Sequence, residues 1–225
     1  MKENSAVLPQ GEEKSCPLGE ELLAKIQVKW IPKVLVGLGE EWDGEKRPDM
    51  GKAYEALADL LEGKDYFIIT TNMDGIIFQS RLKADRITAP CGNIHWFQCK
   101  RSCTKDIWEE GEIPEGICPH CGAPLIPNTV KAEKYIEEGY LPQWLAYRKW
   151  LAGTLNRDVT VLELGVGFSF PGLIRWPFEK LVFCNEKARM CRVHESFYQL
   201  SKEIKEKGRG IPGNSVEYIK NSPIL

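Results

Sequence analysis

Four cysteines are spaced to do metal chemistry. Cys99-x3-Cys103 and Cys118-Pro-His-Cys121-Gly form two close pairs 14 residues apart. Zn²⁺ takes four thiolates in a tetrahedron, and paired cysteines on tight turns deliver them at low entropic cost. The spacing predicts one structural zinc ion held by Cys99, Cys103, Cys118 and Cys121. Four thiolates close the shell, so catalysis at the metal is not expected. His95 and His120 are spare donors read as surface or packing residues. A fifth cysteine, Cys91, stands between Pro90 and Gly92 just before this run. A thiol with an ordinary pKa of about 8.5 is a weak base near neutrality, and a strong nucleophile only once ionised. A buried turn thiol fits Cys91 equally well.

The elements that must position these residues read as alternating strands and helices. KVLVGLG (33–39), DYFIITTNMDG (65–75), VTVLELGVG (159–167) and KLVFCN (180–185) are continuous apolar runs of the length of strands buried on both faces. Each ends in Gly, Asn or Asp, and ligands of open parallel sheets bind beyond the carboxyl ends of the strands. Helical periodicity covers 49–62, with Tyr54, Leu57, Ala58 and Leu61 on one face. It also covers 141–154, with Leu141, Trp144, Leu145, Arg148 and Leu151, and 196–207, with Phe197, Leu200 and Ile204. The pattern predicts an α/β fold, a doubly wound, parallel, Rossmann-like sheet carrying an inserted small zinc-binding module. The expected organisation is an N-terminal extension at 1–30, a nucleotide-binding domain at 31–98 and 123–225, and a zinc-ribbon module at 99–122.

Gly37-Leu38-Gly39 and Gly165-Val166-Gly167 follow two of the strands. A lone GxG is a weak sign of phosphate binding, because tight turns use it for packing alone. The first is followed by Glu40 and Glu41, two carboxylates that compete with a pyrophosphate for backbone N–H groups and repel it.

The 225-residue chain has a formal net charge of −2 and 43% hydrophobic residues. It lacks the basic excess that phosphate-backbone binding needs, so nucleic acid is not an expected partner. The first residues carry no apolar export segment and no later run could span a bilayer, so a membrane is not expected either and the compartment expected is the cytoplasm. Eight cysteines in such a chain are expected to be reduced, metal-bound or buried.

A cysteine module between TTNMDG (70–75) and GVGFSFP (165–171) resembles the sirtuins, the Sir2 family. The likeness runs over roughly Lys64 to Tyr218. TTNMDG resembles the family's T-x-N-x-D-G motif, and the cysteine pairs with LIPN (125–128) resemble its zinc module and the segment after it. LELGVGFSFPGLIRWPFEK (162–180) and FCN (183–185) resemble its later nucleotide-contacting segments. IHWFQC, LELGVGF and IRWPFEK are similar to the macrodomain-linked branch, the class M sirtuins. The resemblance implies NAD as ligand, with Asn72 beside the nicotinamide ribose and Asp74 at the nicotinamide carboxamide. It places Gly165, Gly167 and Phe168 at the phosphates and ribose, and Asn185 at the adenosine ribose. Gly37, Gly39, Thr71 and Ser169 complete the expected NAD-binding set, and Asn72, Asp74 and Cys91 the catalytic set.

Cys91 stands where ordinary sirtuins carry the histidine that activates a ribose hydroxyl. GLGEEW (37–42) replaces their G-A-G-x-S loop, and TVKAEK (129–134) replaces the segment that pairs with an acyl-lysine peptide. Three activities follow as expectations. The first is cleavage of the nicotinamide–ribose bond with transfer of ADP-ribose to a protein acceptor. The others are NAD-dependent protein deacylation, and nucleotide binding without catalysis.

Overall fold

The computed structural model describes residues 33–44, 47 and 49–222. The expected extension at 1–30 lies outside the described residues. Six parallel strands form the central sheet: β1 (Lys33–Leu38), β2 (Asp65–Thr70), β3 (Ile87–Thr88), β7 (Val159–Leu164), β8 (Ala188–His194) and β9 (Gly208–Pro212). Their spatial order is β3-β2-β1-β7-β8-β9. The chain builds outward from β1 in one direction, returns, and builds outward from β7 in the other. A topological switch point therefore lies between β1 and β7, the place where open α/β sheets bind ligands.

Helices cover both faces. Strand alternation sends Val34, Val36 and Leu38 to one side, where they meet Tyr54, Leu57 and Leu61 of α1 (Met50–Leu61) and Val216 and Ile219 of α4 (Ser215–Lys220). Leu35, Phe67, Ile69 and Val161 face the other side. There they meet Tyr147 and Trp150 of α2 (Leu141–Ala152) and Phe178 and Val182 of α3 (Arg175–Cys184). Both faces of the sheet are thus dry, which is why its strands read as continuous apolar runs.

A separate antiparallel sheet, β5 (Ile107–Glu109), β4 (Gly92–Cys99) and β6 (Leu125–Thr129), carries the cysteine pairs. It runs from Gly92 to Thr129, wider than the 99–122 stretch that the cysteines mark. No helix among the described residues is long and apolar enough to cross a membrane.

Three expected elements differ. KLVFCN is not a strand but the last part of α3, and the strand in that region is ARMCRVH, β8. The helix expected at 196–207 is instead a 3₁₀ turn over Lys202–Lys207 leading into β9. The helix at 141–152 forms, but it buries Tyr147 and Trp150 while Leu145 is exposed. Its aromatic residues pack on Phe67 of β2, which sets the rotation of the helix in place of the leucine stripe.

Candidate functional site

The loops after β1, β2 and β7 converge at the switch point. Thr71 N–H donates to the Leu38 carbonyl at 3.1 Å, and Asn72 Nδ2 donates to the Gly39 carbonyl at 3.0 Å. These bonds staple the end of β2 to the end of β1. Asp74 is buried, and its carboxylate accepts Gly44 N–H at 2.7 Å and Ile76 N–H at 2.9 Å. Gly39 N–H donates to the Leu164 carbonyl at 3.0 Å, tying β1 to β7. A Cβ on Gly39 would stand 2.4 Å from the Gly165 carbonyl oxygen and 2.4 Å from Val166 Cα, so only glycine lets these two loops meet. Gly165 turns with φ +63°, a conformation that glycine adopts at no steric cost.

Between these loops lies a cavity of about 190 Å³ lined by Glu40, Asp43, Thr71, Asn72, Met73, Asp74, Ile94, Lys131, Ser169 and Phe170. It collects three acidic side chains and one lysine. The Asn72 amide and the Asp74 carboxylate stand on one wall as fixed polar groups.

The Gly165–Ser169 loop, which reaches the cavity at Ser169, offers backbone donors that are already engaged. The Glu40 carboxylate accepts Gly167 N–H at 2.6 Å and Ser169 N–H at 3.1 Å. Burial works to raise the Glu40 pKa, but these hydrogen bonds outweigh it and hold the carboxyl below its ordinary value. Glu41 is engaged as well, accepting Ser215 N–H at 2.7 Å, Ser215 O–H at 2.6 Å and Glu195 N–H at 2.9 Å. Trp42, fully buried, donates its indole N–H to Ser215 Oγ at 3.1 Å and packs on Tyr54. The short helix Glu40–Trp42 is therefore a clasp joining β1 to the loops after β7, β8 and β9.

The donor loop is held from beneath by buried charge. Arg175 donates to the Val166 carbonyl at 2.8 Å and to the Phe197 carbonyl at 2.7 Å, and it lies under the Phe168 ring at 4.5 Å. Glu163 of β7 meets Arg175 at 3.3 Å and Arg192 of β8 at 3.0 Å, and Arg192 also meets Glu179 at 2.8 Å. Two carboxylates and two guanidinium groups balance within a nearly dry space.

The other expected site residues divide. Asn72, Asp74, Thr71 and Ser169 line the cavity, and Gly39, Gly165 and Gly167 build its loops. Phe168 is exposed and stacks edge-on against Phe197 at 5.1 Å. Gly37 lies inside β1 with Ile174 and Phe178 packed where its side chain would be, so it serves helix packing. Asn185 caps the end of α3, donating to the Thr154 and Arg157 carbonyls at 3.0 Å each, in the turn before β7, and it is not among the residues lining the cavity.

Cys91 is fully buried and does not line the cavity. Burial, with the Glu40 charge adding to it, pushes its thiol up to about 12. A thiol so raised carries little thiolate near neutrality.

The sulfurs of Cys99, Cys103, Cys118 and Cys121 lie within 4.8 Å of one another, with closest approaches of 3.5, 3.5 and 3.6 Å. A tetrahedral zinc shell with Zn–S near 2.3 Å needs sulfur separations of about 3.8 Å, so this set fits the ion. His95 and His120 are hydrogen-bonded to Glu110 at 2.5 Å and Asp106 at 2.8 Å at half-exposed positions.

Lys131, Asp43, Ile94 and Phe170 line the cavity without having been read from the sequence. Ile94, Lys131 and Phe170 lie in or beside strings already singled out, but nothing local to those strings shows that their side chains meet at one cavity. The acidic pair after GLG was visible, but its partners on the β7 loop were not.

The fold can be compared with solved structures. A Sir2 homologue mutant in complex with ADP-ribose superimposes with a TM-score of 0.57 at 16% identity, covering 90% of this chain and 94% of that one. The likeness is one of fold, a Sir2-like Rossmann sheet. Two relatives then stand out by sequence. A protein ADP-ribosyltransferase of Staphylococcus aureus is 26% identical over 176 residues, 70% of this chain and 56% of its own length. A probable bifunctional ADP-ribose hydrolase/ADP-ribosyltransferase of Fusarium oxysporum f. sp. cubense is 24% identical over 156 residues, 58% of this chain and 26% of its own. The chain thus spans about half the length of the first and a quarter of the second. No protein-family profile matches it.

Proposed function

We propose that this chain binds NAD at the β1–β7 switch point, cleaves its nicotinamide–ribose bond and transfers ADP-ribose to a protein acceptor. The observation that carries the reading is the cavity at the switch point that Asn72, Asp74 and Ser169 line together. The names of the two relatives and the ADP-ribose-bound fold neighbour support it. The strings IHWFQC, LELGVGF and IRWPFEK further support kinship with the macrodomain-linked class within the Sir2 fold.

NAD supplies the leaving nicotinamide and the ADP-ribosyl group. The Asn72 dipole and the Asp74 charge stand preorganised where positive charge develops on the ribose, which lowers the barrier to departure. The Gly167 and Ser169 amides supply hydrogen-bond donors for a phosphate. The residues fit a dinucleotide only after rearrangement, because the cavity of about 190 Å³ is smaller than the ~300–1,000 Å³ usual for such ligands. The four cysteines hold zinc as a structural ion and keep the β4–β6 module folded beside the cavity wall.

A second reading, a nucleotide-binding module without catalysis, draws on the protonated Cys91 and the engaged donor loop. Nicotinamide release measured by chromatography separates the two. The proposal expects release by the wild-type chain and its loss in an Asn72→Ala variant that circular dichroism shows to be folded at the assay temperature. Release that survives Asn72→Ala refutes the assigned site. NAD binding without any release favours the second reading.

A further inference from the structure

We infer that Glu40 is an internal ligand of the Gly165–Ser169 loop, an autoinhibitory contact that the phosphate of an incoming nucleotide must displace. The inference deepens the proposal above and rests on it for the identity of the ligand.

The contact has the form of a bound oxyanion. One carboxylate oxygen takes Gly167 N–H at 2.6 Å and the other takes Ser169 N–H at 3.1 Å. Both oxygens lie 3.1 Å from where a Gly167 side chain would begin, so the loop has closed around the carboxylate. Short N–H contacts to an ionised oxygen are the arrangement that such loops offer to phosphates. Glu40 also lines the cavity that holds Asn72 and Asp74, so the group engaging the donors narrows the space beside them. A dinucleotide and the Glu40 side chain cannot use the same two N–H groups together.

The clasp is built to hold Glu40 in place. Glu41 is pinned to Ser215 and Glu195, and Trp42 is buried against Tyr54 with its indole bound to Ser215. These neighbours fix the short helix, so the movement that frees the loop is rotation of the Glu40 side chain alone. No backbone unfolding is required. The consequence is an affinity for nucleotide set by competition, in which the wild-type chain binds more weakly than its donor loop alone would.

The test is isothermal titration of the full chain with inorganic pyrophosphate and, separately, with ADP-ribose. Wild type is compared with Glu40→Gln, Glu40→Ala and Asp43→Asn, and thermal unfolding checks that each variant is folded. Removing an ionised competitor for two hydrogen bonds should tighten binding of both probes by about 10- to 100-fold in either Glu40 variant. Asp43→Asn removes a charge from the same cavity and should change affinity by less than about fivefold. Pyrophosphate binding no tighter in the folded Glu40 variants than in wild type overturns the inference. An equal gain in Asp43→Asn also overturns it, since the effect is then general charge relief. Tighter pyrophosphate binding with no binding of ADP-ribose sustains the internal ligand and refutes the dinucleotide reading, so the two failures are distinct.

Discussion

Glu163→Ala tests whether buried charge holds the donor loop. Glu163 is fully buried and Arg192 is 1% exposed, and the pair meets at 3.0 Å with Arg175 at 3.3 Å. Wild type balances Glu163 and Glu179 against Arg175 and Arg192; the variant leaves two guanidinium groups facing one carboxylate. Breaking a buried ion pair by removing one partner costs about 3–5 kcal/mol, chiefly for the charge left uncompensated. For a chain of this size each kcal/mol moves the unfolding midpoint by about 2–4 °C, so the expected fall is about 6–20 °C by calorimetry or circular dichroism at pH 7. A double variant, Glu163→Leu with Arg192→Met, restores the balance as Arg175 against Glu179. It should recover at least about half of the loss, because apolar replacement of a whole buried pair is often neutral. A single-variant loss below about 1 kcal/mol refutes the reasoning, since that is the scale of an exposed pair. So does a double variant no more stable than the single.

Cys118→Ser, or prolonged treatment with a strong chelator, should release about one zinc ion per chain and melt the β4–β6 module; full metal content in the variant would refute the four-thiolate site. Gly39→Ala forces a Cβ to within 2.4 Å of the Gly165 carbonyl and Val166 Cα; both are backbone, so the loops must part, and a loss of about 1–3 kcal/mol in denaturant unfolding is expected. Cys91, with its thiol pushed up to about 12 and no exposed surface, should resist iodoacetamide in the native state at pH 8 while exposed Cys184 reacts; rapid mass-detected labelling of Cys91 would contradict its burial. Glu40 has a pKa lowered in the folded state, so its contribution is present above the unfolded value near 4.5 and is lost as pH falls through the folded one. The stability advantage of wild type over Glu40→Gln should accordingly shrink from pH 6 toward pH 3.

Much of the sheet was legible because β1, β2 and β7 are buried on both faces and therefore largely apolar. The misreading of KLVFCN arose from the same signal, since a short apolar run does not by itself separate a buried helix end from a strand. β8 escaped notice because Arg189 and Arg192 interrupt its apolar pattern. Arg192 is tolerated in a core strand only because Glu163 and Glu179 meet it there, a pairing between segments far apart in the chain. Asn185 stands at the cap of that helix and not at a strand end, a difference that the local pattern of FCN does not carry.

The sequence by itself determined which four cysteines cluster and the strand ends that carry Asn72 and Asp74, because ligand spacing and continuous burial are local properties of the chain. The tertiary structure alone decided that Glu40 reaches the amides of Gly167 and Ser169, that Cys91 is sealed away from the cavity, and that Arg175 and Glu163 brace the loop from below. Those outcomes depend on which loops the parallel sheet brings side by side. Packing and electrostatics across that junction have no periodicity or motif along the chain from which they could be read.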